Sequence, residues 1–263
     1  MPAHPIITLL TDFGLVDGYV GVMHGVMLGR CPSARIVDLS HAIEAGDVRR
    51  AGYVLADHWR YFPRETVHVA VVDPGVGSDR AILAARVADQ VLIAPDNGLL
   101  TAAFAETPPQ EVRRVSNGVL FLPGASRTFH GRDIFAPVAG ALAEGLDFAD
   151  VGPVAEEWIT LDLPRPIEHD DGSIEGAVIH VDRFGNLITN IPGHRLPLLP
   201  RIAIAGRTFE GLAKAYADVQ PGEALVLIGS TRRVEIAVNQ GSAAEQLNAG
   251  IGATVHITPG RDL

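Results

Sequence analysis

The chain has 263 residues, 47% of them hydrophobic and 20% charged, which supports one large or two modest folded cores and excludes a disordered chain. A net charge of −10 argues against a nucleic-acid backbone as partner, because phosphate binding needs clustered Lys and Arg. The single cysteine, Cys31, excludes an intramolecular disulfide and a Cys-based zinc site, and reads as a small buried hydrophobe.

The opening segment Met1-Pro2-Ala3-His4-Pro5 has no basic n-region and no cleavable apolar stretch, so a cytoplasmic location is expected. No apolar run reaches 18 residues, so no membrane span is expected. Residues 6–10 form an apolar run that reads as a first strand, and 18–30 carries apolar residues at helical spacing. A strand is predicted at 34–39. A helix follows at 47–59, with Val48, Ala51, Val54 and Leu55 on one face. The β-branched run 67–72 is a third strand, and 82–87 and 91–94 are shorter ones. Short helices are predicted at 98–105 and 134–143. This alternation predicts an α/β layered domain with a largely parallel sheet.

Residues 161–172, with two prolines and an acidic cluster, read as a linker. Beyond it the pattern turns to strands, at 177–181, 187–191, 201–205, 224–228, 234–238 and 254–258, punctuated by Gly, Pro or Asn. The expected organisation is an N-terminal α/β domain over 1–165 and a small C-terminal antiparallel β-barrel over 173–263.

Ligands of open α/β sheets collect beyond the carboxyl ends of the strands. Three polar clusters stand there: Thr11-Asp12-Phe13-Gly14, the Gly-rich run from Asp73 to Arg80, and Pro95-Asp96-Asn97-Gly98. Singly, each is ordinary turn chemistry; together they would line one edge of a sheet. Asp12 reads either as a helix N-cap, the better-supported role for it alone, or as a carboxylate for a ribose diol. Gly75-Val76-Gly77 would let backbone N–H groups approach a ligand, and Arg80 pairs with Asp73 across the loop. His130 lies in the polar turn Thr128-Phe129-His130-Gly131-Arg132-Asp133, and reads equally as a capping residue or as a base near neutrality. Asp12, Asp73, Asp96 and His130 also make a minority hard-metal site. His24, His41, His68 and His180 read as structural.

Taken in order, these clusters resemble the S-adenosylmethionine hydroxide adenosyltransferases, relatives of the S-adenosylmethionine-dependent fluorinase and chlorinase. The resemblance rests on Ile-Thr-Leu-Leu-Thr-Asp-Phe-Gly at 7–14, Val-Val-Asp-Pro-Gly-Val-Gly at 71–77 and Ala-Pro-Asp-Asn-Gly-Leu-Leu at 94–100. It continues through Thr-Phe-His-Gly-Arg-Asp-Ile-Phe-Ala-Pro at 128–137, Asp-Arg-Phe-Gly-Asn-Leu-Ile-Thr-Asn at 182–190, Gly-Ser at 229–230 and Glu-Ile-Ala-Val-Asn-Gln-Gly at 235–241. It implies hydrolysis of S-adenosylmethionine to adenosine and methionine, with no cofactor and no metal. It also implies a homotrimer whose sites lie between the N-terminal domain of one subunit and the C-terminal domain of its neighbour.

Residue by residue, Asp73, Arg80 and His130 match the polar set of the hydroxide-using members. The halogenases have a tyrosine where Asp73 stands, lack the histidine, and the fluorinase adds an insertion missing here. Asp12 resembles the ribose-diol ligand, with Asn97 as a further substrate contact. Asp182 resembles the partner of the methionine ammonium, and Phe184 and Asn186 resemble adenine contacts. Ser230 and Glu235 fall where the methionine or adenosine end is held, and Val238 would lend backbone contacts to adenine. Thr231 and Val238 stand where the fluorinase has arginines; strand alternation would turn only one of Arg232 and Arg233 inward in their place. The expected chemistry is in-line attack of an activated water on the ribose carbon, with Asp73 or His130 as base. A metal-dependent nucleotide phosphohydrolase and a non-catalytic adenosine or S-adenosylmethionine sensor are the alternatives.

Overall fold

The structure is a computed structural model that describes residues 4–260. Met1, Pro2 and Ala3 of the opening segment lie outside the described residues. The chain divides into two compact units between Asp162 and Leu163. Among the described residues, no helix is long and apolar enough to cross a membrane.

The first unit is built on a six-stranded sheet. In chain order its elements are β1 (Ile6–Thr11), α1 (Tyr19–Arg30), β2 (Arg35–Ser40), α2 (Val48–His58), β3 (Val67–Val71), β4 (Ile82–Val87), β5 (Gln90–Pro95), α3 (Thr101–Glu106), β6 (Glu111–Arg114) and α4 (Ala136–Glu144). The spatial order is β2-β1-β3-β5-β4-β6. The first four strands of that order run parallel; β4 pairs antiparallel with both β5 and β6. Ile7, Leu9, Val67, Val69 and Val71 pack with Met23 and Met27 of α1 and Val138 of α4 in one core. The alternate residues Thr8, Leu10, His68 and Ala70 are buried as well, so both faces of the central strands are covered, as parallel sheets require.

Local chemistry sets the element ends. Asp47 caps α2 by accepting the Arg50 N–H at 2.9 Å. Gly52 lets that helix approach the segment before α3, since a Cβ there would stand 2.7 Å from the Leu99 carbonyl oxygen. The helix predicted at 98–105 starts at Thr101, because Gly98 takes a φ of +89° and Thr101 Oγ1 donates back to its carbonyl at 2.7 Å. The helix predicted at 134–143 is a π-helical turn at Gly131–Phe135 running into α4. β6 was not predicted: Glu-Val-Arg-Arg offers one buried apolar residue, the signature of an edge strand.

The second unit carries β7 (Ile167–Glu168), β8 (Ile174–Val181), β9 (Leu187–Pro192), β10 (Pro200–Ile204), β11 (Arg207–Glu210), β12 (Ala224–Ile228), β13 (Arg233–Val238), α5 (Ala243–Leu247) and β14 (Thr254–Pro259). These strands form an antiparallel, barrel-like sheet in the order β11-β10-β14-β8-β9-β13-β12, with β7 added on β8. Ile174, Val178, Leu187, Ile202, Ile236 and Ile257 belong to its core. Asn190 accepts the Ala177 N–H at 2.9 Å and donates to the Pro164 carbonyl at 3.0 Å, tying the segment that enters this unit to the sheet.

His68 is structural, as expected. It is fully buried between Thr8 Oγ1 at 2.7 Å and Gln90 Oε1 at 2.6 Å, and burial pushes its pKa down to about 4. The unfolded chain therefore binds a proton between about pH 6.5 and 4 that the folded chain refuses, so stability falls as pH drops through that window. Between pH 7 and 4.5 His68 alone should remove on the order of 2–3 kcal/mol. Urea unfolding at the two pH values should show a loss smaller by about that amount in His68→Gln.

Candidate active site

β1, β3 and β5 are neighbours and parallel, so the segments after them emerge at one sheet edge. A cavity of about 590 Å³ opens there, and Asp12, Gly46, Asp73, Phe129 and His130 are among the residues that line it. Asp12 is not an N-cap. Gly18 holds that position on α1 without a side-chain bond, because residues 12–18 first make an irregular turn. The Asp12 carboxylate instead accepts the Gly46 N–H at 2.8 Å through Oδ2.

Asp73, two residues beyond β3, meets Arg80 in a bidentate pair: Arg80 Nε donates to Oδ1 at 2.9 Å, and Nη2 donates to Oδ2. This is a buried pair: the Arg80 and Asp73 side chains are only 9% and 5% exposed. The same Nη2 donates to His130 Nδ1 at 2.9 Å. Asp73, Arg80 and His130 thus form one hydrogen-bonded array. His130 stands at the start of the π-helical turn and makes no capping bond there.

A guanidinium only donates. Nδ1 must therefore be the acceptor, and the neutral ring carries its proton on Nε2. Burial lowers the His130 pKa, and the Arg80 charge lowers it further. Around this array stands an aromatic wall that the sequence reading did not single out. Phe13, Tyr19 and Phe129 pack edge to face, with centroids 5.1 to 6.0 Å apart, and all three line the cavity. The signal was present in two of them, which flank the motif residues Asp12 and His130.

The Gly-rich loop is tightly folded and closely packed. The Val76 and Ser78 N–H groups bond within the loop, and a Cβ on Gly77 would strike the Arg127 carbonyl. Asp96 accepts the Ile159 N–H at 2.8 Å. Asn97 bridges backbone, donating to the Val72 carbonyl at 2.9 Å and accepting the Leu99 N–H at 3.2 Å, and so fixes the segment that delivers Asp73. Among the described residues, Asp12, Asp73, Asp96 and His130 do not gather as metal ligands.

The second unit holds its own polar group. Asp182 ends the run of β8 and accepts the N–H groups of Phe184 at 2.8 Å and Asn186 at 2.9 Å, with Asn186 Nδ2 at 3.0 Å on its other oxygen. Gly185, at φ +81°, closes this turn, and Phe184 projects 73% exposed. Glu235 on β13 is buried and accepts the Tyr216 hydroxyl at 2.7 Å. Burial raises the Glu235 pKa, and the Asp182 charge adds to the rise; Tyr216 is pushed up to about 12 by its own burial and by Glu235. Gly229 is needed beside this carboxyl group, because a Cβ would strike Glu235 Oε2. Ser230 is exposed in the β12–β13 turn, and Val238 is buried at the end of β13. Arg232 takes a left-handed φ of 62° and is exposed, whereas Arg233 opens β13 half-buried. Tyr216 was missed because it sits in a short 3₁₀ turn with no flanking motif.

Residues 7–152 match the SAM hydroxide adenosyltransferase N-terminal domain, and residues 176–256 match the SAM hydroxide adenosyltransferase C-terminal domain. The chain belongs to the SAM hydroxide adenosyltransferase family. An (R)-S-adenosyl-L-methionine hydrolase of Salinispora tropica is 41% identical, over 99% of this chain and 100% of that protein. A fluorinase of an Actinoplanes species is 30% identical, over 98% of this chain and 99% of that one. The crystal structure of an uncharacterised conserved protein from Thermotoga maritima superposes with a TM-score of 0.90 at 39% identity, covering 96% of this chain and 99% of that one.

The SAM hydroxide adenosyltransferase C-terminal domain thus contains both Asp182 and Glu235. The Tyr216 bond favours the ionised form of Glu235. In Tyr216→Phe the Glu235 titration midpoint, followed by carboxyl ¹³C NMR, should therefore move upward; an unchanged or lower midpoint would contradict this account of the pair.

Proposed function

We propose that this chain hydrolyses S-adenosylmethionine to adenosine and methionine. The observation that carries the reading is the Asp73–Arg80–His130 array, its ion pair buried and its histidine half-buried, facing a cavity that also holds Asp12. The water oxygen bonds to the ribose C5′, the C5′–S bond breaks with its electron pair going to sulfur, and one proton leaves the water. A sulfonium departs without a proton from an acid, so the residues act on the nucleophile alone. Positioning it in line contributes on the order of 7–11 kcal/mol in the best intramolecular cases.

Arg80 donates to His130 Nδ1, and this supports Asp73 as the group that takes the proton, with His130 Nε2–H donating to the oxygen and holding its direction. Asp12 would bind the ribose diol, with Asn97 positioning the Asp73 segment behind it. In the second unit, Asp182 would receive the methionine ammonium. Phe184, Asn186 and the Val238 backbone would contact adenine, and Ser230 and Glu235 would hold the methionine or adenosine end. The family resemblance further supports a homotrimer in which a neighbouring copy completes each site, a cytoplasmic location, and chemistry without cofactor or metal.

Incubating the protein with S-adenosylmethionine and chelator, with and without chloride, should give equal amounts of adenosine and methionine. A chloride-dependent 5′-chloro product would reassign the chain to the halogenases; tight binding without turnover would mark a sensor. Phosphate release from nucleotides that chelator abolishes would mark a phosphohydrolase. Asp73→Asn and His130→Ala should each lower kcat by about 10²–10⁴ with little change in substrate binding. Near-full turnover in both would remove the array from the mechanism.

Protonation of His130 at Nδ1 would set an N–H against Arg80 and break the array. Its pKa is below the ordinary 6.5, so kcat/KM should fall on the acid side with a midpoint under that value. The midpoint should be lost in His130→Asn, as read from the pH profile.

A further inference from the structure

The histidines set aside as structural include two that converge on one carboxylate outside the candidate active site. His24, on α1, places Nε2 2.8 Å from Asp38 Oδ1 on β2. His41, directly after β2, places Nε2 3.1 Å from the same oxygen. The three ligand atoms lie within 4.8 Å of one another. None of the three residues lines the cavity at Asp73.

His41 supplies the decisive detail. It is 6% exposed, its Nε2 points into this cluster, and that nitrogen makes no hydrogen bond. Its other nitrogen, Nδ1, lies 2.8 Å from Thr11 Oγ1, which also accepts the Phe13 N–H at 3.2 Å. When Nδ1–H donates to Thr11, the Nε2 lone pair faces the carboxylate oxygen. In that tautomer the two electron-rich atoms repel at 3.1 Å, and a cation bound by both removes the repulsion. Metal-bound imidazoles are held in the same way, with the second ring N–H on a fixed acceptor.

We propose that His24 Nε2, Asp38 Oδ1 and His41 Nε2 form a binding site for a divalent cation of the zinc class. Two imidazoles and one carboxylate suit zinc, cobalt or nickel better than the oxygen-seeking magnesium or calcium. Metal–ligand bonds of about 2.0–2.1 Å set neighbouring ligand atoms of a tetrahedral centre roughly 3.3 Å apart; the two rings would retreat slightly from Asp38, and their Nε2 atoms, within 4.8 Å of each other, would settle at the same spacing. The His24 and Asp38 side chains are 28% and 39% exposed, which leaves an entry path and a fourth position for water. The cation acts as a brace. It joins α1 to β2, and His41 in turn holds the turn that bears Asp12, through Thr11 and through its own carbonyl, which accepts the Gly14 N–H at 2.8 Å.

The test uses the full, tag-free chain, stripped with chelator and dialysed, then titrated with Co²⁺ and followed by visible absorption and calorimetry. One equivalent should bind with a tetrahedral cobalt spectrum, and Zn²⁺ should displace it and raise Tm. His24→Asn and Asp38→Asn should each weaken binding at least tenfold and abolish the Tm shift. Circular dichroism checks that the variants fold; His24→Asn, at a partly exposed helix position, carries the test if Asp38→Asn does not. Absence of saturable one-equivalent binding by the wild type overturns the proposal and leaves an ordinary ion-pair cluster. Wild-type affinity in a folded variant overturns it equally.

Discussion

The candidate active site depends on one guanidinium. Arg80 divides its donors between both oxygens of Asp73 and Nδ1 of His130, and each bond constrains the next. A buried carboxylate needs a partner to remain charged, and a buried arginine needs acceptors. A histidine facing that cation is held neutral and in one tautomer. Lysine would deliver the charge without the planar fork that reaches all three atoms, so the position demands arginine in particular.

The scaffold places that array by ordinary sheet geometry. Asp73 leaves β3, which is buried on both faces, and Asn97 anchors the same segment from the end of β5. Asp12 leaves β1 next door. The two faces of the sheet divide their tasks: one packs against α1 and α4, and the other carries the buried Thr8–His68–Gln90 row. Polar groups in that row are mutually satisfied, so they do not compete for the site.

Much of this was legible in the residues, for identifiable reasons. β3 was legible because its five consecutive buried residues are apolar but for His68, and the three clusters were legible because each follows a mostly apolar run. β6 and β11 were not, since edge strands with one inward residue carry no period. Asp12 misled for the opposite reason: its chemistry suits a cap, and only the turn between β1 and α1 shows that the helix begins too late. The Arg80 contact with His130 spans fifty residues, and Tyr216 with Glu235 nineteen, distances at which no local pattern speaks. The His24, Asp38 and His41 convergence was hidden in the same way, because its members sit on a helix, a strand and the loop beyond.

The π-helical turn that follows His130 sets how its imidazole is aimed. Such a turn is an α-helix with one residue inserted, and one residue of an α-helix is a rotation of about 100°. Removing a single amino acid between Gly131 and Phe135 would restore the regular spiral, leave every side chain of the array in the chain, and swing the imidazole away from the guanidinium. Length in this segment is therefore as strictly constrained as residue identity, and an insertion or deletion there would disarm the centre while leaving the buried face of α4 intact.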